Sequence, residues 1–392
     1  MQYRSDRYGN QLSILGFGCM RFQQKLGKID MEEAEREIME AFRSGVNYFD
    51  TAYIYPGSEA LIGEIFQRNG IRSQVKIATK LPHYLIKSRA AMDKLFAEEL
   101  KRLRTDYVDY YLMHMLNDVD TWQRLRDLGI EDWLKEKKES GAIRQVGFSY
   151  HGNTEAFCKL VDAYDWDFCQ IQYNYLDEHS QAGRKGLQYA HCKGIPVIIM
   201  EPLRGGKLVN LLPDSAKRII ADAKPKRSPA EWALRWLWDQ PEVTVVLSGM
   251  NTVEMVRENV QTASTAEAGQ MDAAQKQMLA RVVDAINAKM KVGCTGCGYC
   301  MPCPKGVDIP GTFAALNRYH TESKFAGLKE YVMCTTLRTN SAAASNCIGC
   351  GKCEQHCPQG IEIRKMLRVA KKDLENTVYH IGSRVMKRFT HF

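Results

Sequence analysis

The sequence predicts an α/β protein, a (β/α)8 barrel followed by a small, mainly helical second domain. Short apolar runs alternate eight times with amphipathic segments, which is typical of parallel strands joined by helical crossovers. Where this alternation ends, nine of the 13 cysteines crowd into residues 294–357. Eight units favour closure into a barrel, and an open doubly wound sheet is the alternative.

The bounds of the predicted elements follow from the hydrophobic periodicity. The runs of strand type are 14–18, 46–49, 75–79, 107–113, 143–148, 168–172, 196–200 and 243–247. The helical segments are 31–44, 58–68, 89–103, 121–140, 153–163, 182–193, 228–239 and 252–262, with a further helix over 273–290. We therefore expect a barrel domain over residues 1–285 and a second domain over 286–392.

Composition excludes several classes of protein. No apolar run approaches the roughly 20 residues that a membrane helix requires, and the polar start, MQYRSDRYGNQ, lacks a signal-peptide core. We expect a cytoplasmic protein. The net charge of +8 is modest, and no nucleic-acid-binding module is present. Many basic residues follow Arg364; a solvated helix face is the favoured interpretation, and a patch for an acidic electron-transfer partner is the alternative.

Polar residues stand at the ends of several predicted strands. In barrel enzymes the active site lies at the carboxyl ends of the strands. The second strand ends at Asp50, and Tyr55 follows on its loop. The third strand ends at Lys80, and the fourth leads to His114. For each residue alone a structural role is the favoured interpretation, but their occurrence on three consecutive strand ends favours a shared site.

Asp, Tyr, Lys and His in this order resemble the tetrad of the aldo-keto reductase family. The resemblance extends to the segments LGFGCM, FDTAYIY, ATK, LMH, GFSYH, QIQYN, EPLRGG and VRENV, and it covers about residues 5–285. It implies a barrel enzyme that reduces a small-molecule carbonyl with NADP(H) or NAD(H). Tyr53 is a rival phenol, but the family spacing selects Tyr55.

The resemblance gives each residue of the tetrad a role. A carbonyl that receives hydride gains negative charge on oxygen, and Tyr55 would donate the proton. A free phenol has a pKa of about 10, and the Lys80 ammonium, held by Asp50, is expected to lower it. His114 would orient the carbonyl oxygen and stabilise its charge.

The resemblance also implies a nicotinamide site. Ser149 and Gln170 would hold the carboxamide, and Glu258 and Asn259 match a pair that contacts the adenine. The predicted cofactor-binding residues are Gly18, Ser149, Gln170, Ser248, Glu258 and Asn259.

Three positions depart from the family pattern. Tyr150 stands where many relatives have Asn, and Met200 stands where an aromatic residue often stacks on the nicotinamide. The usual basic residues for the 2′-phosphate of NADP are missing near Gly249 and Met255. The choice of NADPH over NADH therefore rests on the family alone.

Two regular cysteine motifs predict iron–sulfur clusters. The first has three intervals of two residues and then Pro304, and the second, followed by Pro358, has the spacing of bacterial ferredoxins. Zinc is the alternative, because paired CxxC motifs also bind zinc; two runs of four cysteines that each end in proline disfavour it. The predicted ligands of two [4Fe–4S] clusters are Cys294, Cys297, Cys300, Cys303, Cys347, Cys350, Cys353 and Cys357.

This segment resembles the two-cluster, ferredoxin-like 4Fe-4S domain. The resemblance implies crossed ligation, in which the fourth cysteine of each motif binds the other cluster. Cys357 would complete the cluster of the first motif, and Cys303 that of the second. Helices are predicted over 312–320 and 324–334, and Cys334 is interpreted as a buried free thiol.

Three hypotheses of function remain, because nicotinamide gives two electrons as hydride whereas a cubane passes one at a time. The first is an aldo-keto reductase-type oxidoreductase whose iron–sulfur domain is an electron port, a docking surface or a structural cap. The second is a reductase driven by an external electron carrier such as ferredoxin, with the clusters as the point of entry and with or without a flavin. The third is a non-catalytic electron-relay or binding protein.

Overall fold

The computed structural model describes residues 1–389 apart from 26, 117, 152–153, 180, 289, 295–297, 322 and 336–340. The predicted ligand Cys297 and the side chain of Cys334 therefore lie outside the described part of the chain. The chain divides into two compact units, one formed by Met1–Val209 with Arg227–Ala273 and the other by Asn210–Lys226 with Ala274–Phe392. The domain boundary expected after residue 285 stays a prediction.

The first unit contains a closed barrel of eight parallel strands. The eighth strand closes onto the first, with Ser248 opposite Phe17. The predicted barrel is confirmed, and the open-sheet alternative is wrong. In chain order the strands are Leu15–Gly18, Tyr48–Asp50, Lys76–Leu81, Val108–Met113, Ile143–Tyr150, Phe168–Gln172, Val197–Met200 and Val243–Ser248.

Helices follow the strands along the chain of the first unit. One prediction was wrong: the single helix over 121–140 is two helices, interrupted at Gly129. This glycine has a φ of 82°, in the left-handed region that ends a helix and that residues with a side chain rarely adopt. The helices are Met31–Arg43, Ser58–Arg68, Arg89–Leu103, Val119–Asp127, Ile130–Glu139, Thr154–Asp162, Gly183–Cys192, Lys207–Asn210, Pro229–Trp238 and Val253–Thr265.

Aromatic side chains fill the barrel interior. The ring of Tyr110 meets the rings of Tyr48 and Phe168 edge to face, each at 5.1 Å between centroids. Below them, Asp6 accepts hydrogen bonds from the Tyr110 hydroxyl at 2.6 Å and from the Gln145 amide. The lumen is thus a packed core and not a pore, so that a site for substrate has to lie at the strand ends.

The second unit is helical and has its own apolar core. Phe313, Leu316, Tyr331 and Leu367 are buried there, and six cysteines of the two motifs pack against this cluster. The two helices predicted between the motifs are confirmed. The helices are Asp214–Asp222, Ala273–Asn287, Ile309–Thr321, Lys324–Thr335, Lys352–Gln355, Ile363–Leu374 and Thr377–Phe389. Across the described residues of both units, no helix has the length and apolarity that a membrane crossing requires.

Candidate active site and cysteine-lined cavities

A buried ion pair joins the ends of the second and third strands. Lys80 Nζ donates a hydrogen bond to Asp50 Oδ1 at 2.5 Å and another to the Thr51 carbonyl at 2.6 Å. The strand register produces this contact, because Asp50 lies opposite Ala78, two residues before Lys80. Burial acts to lower the pKa of Lys80, but Asp50 and Tyr55 outweigh it, and the pKa is raised. Lys80 is therefore a fixed positive charge.

Tyr55 lies beside this charge. Lys80 Nζ is 5.1 Å from the centroid of the Tyr55 ring, close enough for its charge to act on the Tyr55 hydroxyl. The ring of His114 stands edge-on to the Tyr55 ring, with 6.1 Å between centroids. The rival phenol, Tyr53, instead packs on Arg102, whose guanidinium carbon is 4.3 Å from its ring centroid. Of the two phenols, Tyr55 is the one grouped with Lys80 and His114.

The Lys80 charge lowers the pKa of Tyr55 as expected, but the net shift of that pKa is upward. Burial raises the pKa of Tyr55, the Lys80 charge lowers it, the Asp50 carboxylate raises it, and the net shift is upward. Removing a phenolate from water raises the pKa by more than the neighbouring ammonium lowers it. Tyr55 is thus a protonated phenol at neutral pH.

His114 is a neutral imidazole in this site. Burial, the Lys80 charge and the nearby His151 and His83 lower the pKa of His114 to about 3. Its Nδ1 is buried and has no hydrogen-bond partner among the described residues. A neutral imidazole donates one hydrogen bond, which suits it to orient an oxygen without giving up its proton.

Two of the predicted carboxamide contacts are already engaged within the protein. Gln170 Nε2 donates to Asp50 Oδ2 at 2.8 Å, so that Asp50 is held from two sides. The Ser149 hydroxyl accepts a hydrogen bond from the Met115 amide at 2.8 Å. Met115 has a φ of 56°, and it directly follows His114. Ser149 therefore fixes the backbone turn that positions His114.

Of the four remaining predicted cofactor residues, three lie together and one lies apart. Asn259 Nδ2 donates to Ser248 Oγ at 3.1 Å, and both side chains are buried. Gly18 pairs with Asp50, and a β-carbon added to Gly18 would lie 3.4 Å from the Ser248 carbonyl oxygen. The structure thus brings Gly18, Ser248 and Asn259 together, whereas Glu258 is exposed on its helix.

Sequence reasoning missed one cation at this end of the barrel. A β-carbon added to Gly205 would approach Arg21 Nη2 to 2.9 Å, and one added to Gly249 would approach Arg21 Cδ to 3.4 Å. Arg21 therefore lies beside the loops after the seventh and eighth strands, which form a phosphate site in many barrels. A basic residue shortly after the first strand was the signal that could have indicated it.

Two cavities in the second unit are lined by cysteines from both motifs. The larger, of about 260 Å³, has Cys303 of the first motif in its wall together with Cys347, Cys350 and Cys353 of the second. The smaller is lined by Cys294 and Cys300 of the first motif and by Cys357 of the second. Cys300 and Ile309 border both cavities. Several thiols in an otherwise largely apolar wall are a donor set that fits an iron–sulfur cluster.

Comparison with known proteins agrees with both halves of this picture. Residues 14–279 match the aldo/keto reductase family model, and residues 293–362 match a 4Fe-4S dicluster domain. The chain is a barrel oxidoreductase that is followed in the sequence by an iron–sulfur domain. It belongs to the aldo/keto reductase family, and the dicluster match favours iron–sulfur clusters over zinc.

Individual relatives resemble the barrel half. An aldo-keto reductase of Mycolicibacterium vanbaalenii is 30% identical over 261 residues, covering 64% of this chain and 82% of the relative. L-galactose dehydrogenase of Arabidopsis thaliana is 27% identical over 284 residues, covering 67% and 88%. The holo form of an aldo-keto reductase from Bacillus halodurans is similar in structure, with a TM-score of 0.60 at 26% identity, covering 72% of this chain and 96% of that one.

Removing Asp50 is expected to leave a buried ammonium without its partner. We expect Asp50→Asn to lower the free energy of unfolding by about 3–5 kcal/mol, and Asp50→Asn with Lys80→Met to lose less than the single change. Urea unfolding measures both. Breaking the exposed pair of Arg89 and Glu136 with Glu136→Gln is the control, with an expected cost below about 1 kcal/mol. Equal costs for Asp50→Asn and the control would contradict the assignment.

The neutral state of His114 predicts a flat titration. Its ring signals in histidine-labelled NMR spectra should not shift between pH 5 and 8, with His114→Gln assigning them. The unfolded chain takes up this proton near 6.5, whereas the folded chain does so near 3. Stability linked to His114 therefore rises with pH between these values and is lost as the pH falls. A midpoint near 6.5 in the folded protein would refute the prediction.

Proposed function

We propose that this protein reduces an aldehyde or ketone with a hydride from NADPH or NADH, and that Tyr55 protonates the carbonyl oxygen. The observation that carries this proposal is the Lys80 ammonium, held at 2.5 Å by Asp50 and lying 5.1 Å from the centroid of the Tyr55 ring. A reductase of this kind needs a proton donor whose conjugate base is stabilised in place.

Four side chains have separate roles in the proposed reduction. A bound nicotinamide supplies the hydride that adds to the carbonyl carbon. The electron pair of the C=O π bond moves to oxygen, and the Tyr55 hydroxyl gives its proton to that oxygen. Lys80 stabilises the phenolate that remains until solvent reprotonates it, and Asp50 keeps Lys80 charged. His114, as a neutral donor, orients the oxygen.

The raised pKa of Tyr55 is compatible with this role. A phenol that stays protonated in the resting enzyme is ready to act as an acid, and the developing alkoxide is a stronger base than a phenolate. Transfer therefore becomes favourable only as the hydride arrives. The low pKa of His114 suits it to orient the carbonyl oxygen as a neutral hydrogen-bond donor, because it keeps its N–H proton while Tyr55 gives up its own.

The nicotinamide contacts belong to this proposal as well. Gln170 uses Nε2 for Asp50, which leaves Oε1 to accept from the carboxamide NH₂, with Ser149 beside it. Ser248, Asn259 and Gly18 would line the path toward the adenine, and Glu258 would contact it. Arg21 would supply the positive charge for a cofactor phosphate that the segment near Gly249 lacks.

The cysteine-lined cavities support a second component. We propose that the larger cavity holds one [4Fe–4S] cluster through the second motif and Cys303, and that the smaller holds another through the first motif and Cys357. The clusters would exchange single electrons with an external carrier, which retains the carrier-driven reductase as the second candidate function. The non-catalytic alternative is set aside because the family is one of oxidoreductases.

Loss of the phenol hydroxyl is expected to abolish carbonyl reduction. Tyr55→Phe should lower kcat for NADPH-dependent reduction of an aromatic aldehyde by about 10²–10⁴-fold, while cofactor affinity in a fluorescence titration stays within twofold, because the ring remains. Tyr53→Phe is the matched control and should keep the activity. Unchanged turnover in Tyr55→Phe, or its loss in Tyr53→Phe, would overturn the role of Tyr55.

Iron content tests the crossed ligation. The wild-type protein should hold about eight irons in two cubanes. If ligation is crossed, Cys303→Ala with Cys350→Ala removes ligands of one cluster and keeps about four irons, whereas Cys303→Ala with Cys294→Ala removes ligands of both. Uncrossed ligation predicts the reverse. Anaerobic reconstitution with iron counting and EPR measures the result, and Cys192→Ala, outside both motifs, is the control.

A further inference from the structure

A second groove opens beside the larger cysteine-lined cavity. It has a volume of about 290 Å³, and the backbone of the second motif forms one of its sides while the helix Ile363–Leu374 forms the other. Leu367 and Leu374 anchor the buried side of that helix. The groove residues used below are Cys347, Ile348, Arg364, Arg368 and Lys371.

The helix side of this groove is positively charged. Arg364, Arg368 and Lys371 are spaced so that they share one helix face, and all three are exposed. Arg364 is paired with Glu354, at 2.7 Å between Nη2 and Oε2. Arg368 and Lys371 form no ion pair with any residue in the described part of the chain, so that their charge is available to a partner.

An exposed apolar residue stands on the other side of the groove. Ile348 is 65% exposed, although it directly follows the cluster ligand Cys347. Cys350, two residues further on, is exposed as well. An exposed apolar residue over a redox centre, with charges of one sign beside it, is suited to brief contact: the charges steer the partner, and a small dry contact excludes water.

We propose that this basic face, formed by Ile348, Arg364, Arg368 and Lys371, is the docking surface for an acidic ferredoxin. The inference rests on the proposed function, because it takes the larger cavity to hold a [4Fe–4S] cluster. In each encounter one electron passes from the reduced ferredoxin to the oxidised cluster, so that the carrier loses one electron and the cluster gains one. A second encounter delivers a second electron, so that a domain with two clusters can hold one electron on each.

The cations have a competing explanation. A thiolate-ligated cubane is itself anionic, and Arg364 lies close enough to Cys347 and Cys353 for their charges to act on it. If Arg368 and Lys371 only balance that charge, their reversal shifts the cluster potential and leaves affinity for a carrier unchanged. If they dock a carrier, their reversal weakens binding and removes its dependence on salt.

The helix itself provides a matched control. Lys365 and Lys372 are exposed on a neighbouring face of the same helix and do not line the groove. Arg368→Glu with Lys371→Glu and Lys365→Glu with Lys372→Glu change the net charge equally. Breaking the exposed pair of Lys365 with Glu362 costs little. Iron content and circular dichroism of both double variants verify that the clusters and helices are intact.

Calorimetric titration of the cluster-loaded, oxidised protein with an oxidised, acidic plant-type [2Fe–2S] ferredoxin tests the proposal. We expect binding that weakens as salt rises, because screening shortens the reach of exposed charges. Arg368→Glu with Lys371→Glu should weaken it at least tenfold at low salt, and the control pair less than threefold. Basic cytochrome c should not bind. No binding by the wild-type protein, equal losses in both variants, or a shifted potential without lost affinity would each overturn the proposal.

A parallel assay separates failure of this inference from failure of the proposed function. NADPH-dependent aldehyde reduction is measured on the same preparations, and it should be unchanged in both charge-reversal variants. Ferredoxin binding without any aldehyde reduction would refute the proposed reductase alone. Aldehyde reduction without ferredoxin binding would refute the docking surface alone.

Discussion

The buried contact between Asp50 and Lys80 is the interaction on which the barrel site depends. A buried ion pair contributes little net stability, because desolvation offsets most of its attraction. Its value here is a positive charge of fixed position, held between a carboxylate and the Thr51 carbonyl. The strained turn after His114, fixed by Ser149, and the amide of Gln170 on Asp50 then complete a site in which few groups are free to move.

The pKa values of Tyr55 and His114, the two titratable groups beside this charge, are shifted in opposite directions. The same burial that raises the pKa of Tyr55 lowers that of His114, since one ionises to an anion and the other to a cation. Both are therefore neutral at pH 7, with Lys80 and Asp50 carrying the only opposed charges of the tetrad. In the proposed reaction, Tyr55 loses its proton to the developing alkoxide and is the acid. His114 keeps its N–H proton and is the orienting donor.

The architecture was largely predictable from the sequence, and the site only in part. Strands such as Phe168–Gln172 were predicted to the residue, because strands buried on both faces form continuous apolar runs. The break at Gly129 was missed, since a lone glycine within a helical pattern is often tolerated. The hydrogen bond of Gln170 to Asp50 joins strands that are not neighbours in the barrel, and no local pattern reports it. The sign of the Tyr55 pKa shift depends on burial, and the position of Arg21 depends on a side-chain conformation. The sequence motif specifies neither of them.

The shared wall between the cysteine-lined cavities has a consequence for maturation of the protein. Cys300 and Ile309 border both cavities, and each cavity draws thiols from both motifs. In the crossed arrangement, binding of the first cluster joins two distant stretches of chain and brings the remaining thiols close together. The entropic cost of closing the loop between the motifs therefore arises in the first assembly step and not in the second. Cluster insertion should then be cooperative, and partly loaded molecules should be scarce when iron is limiting.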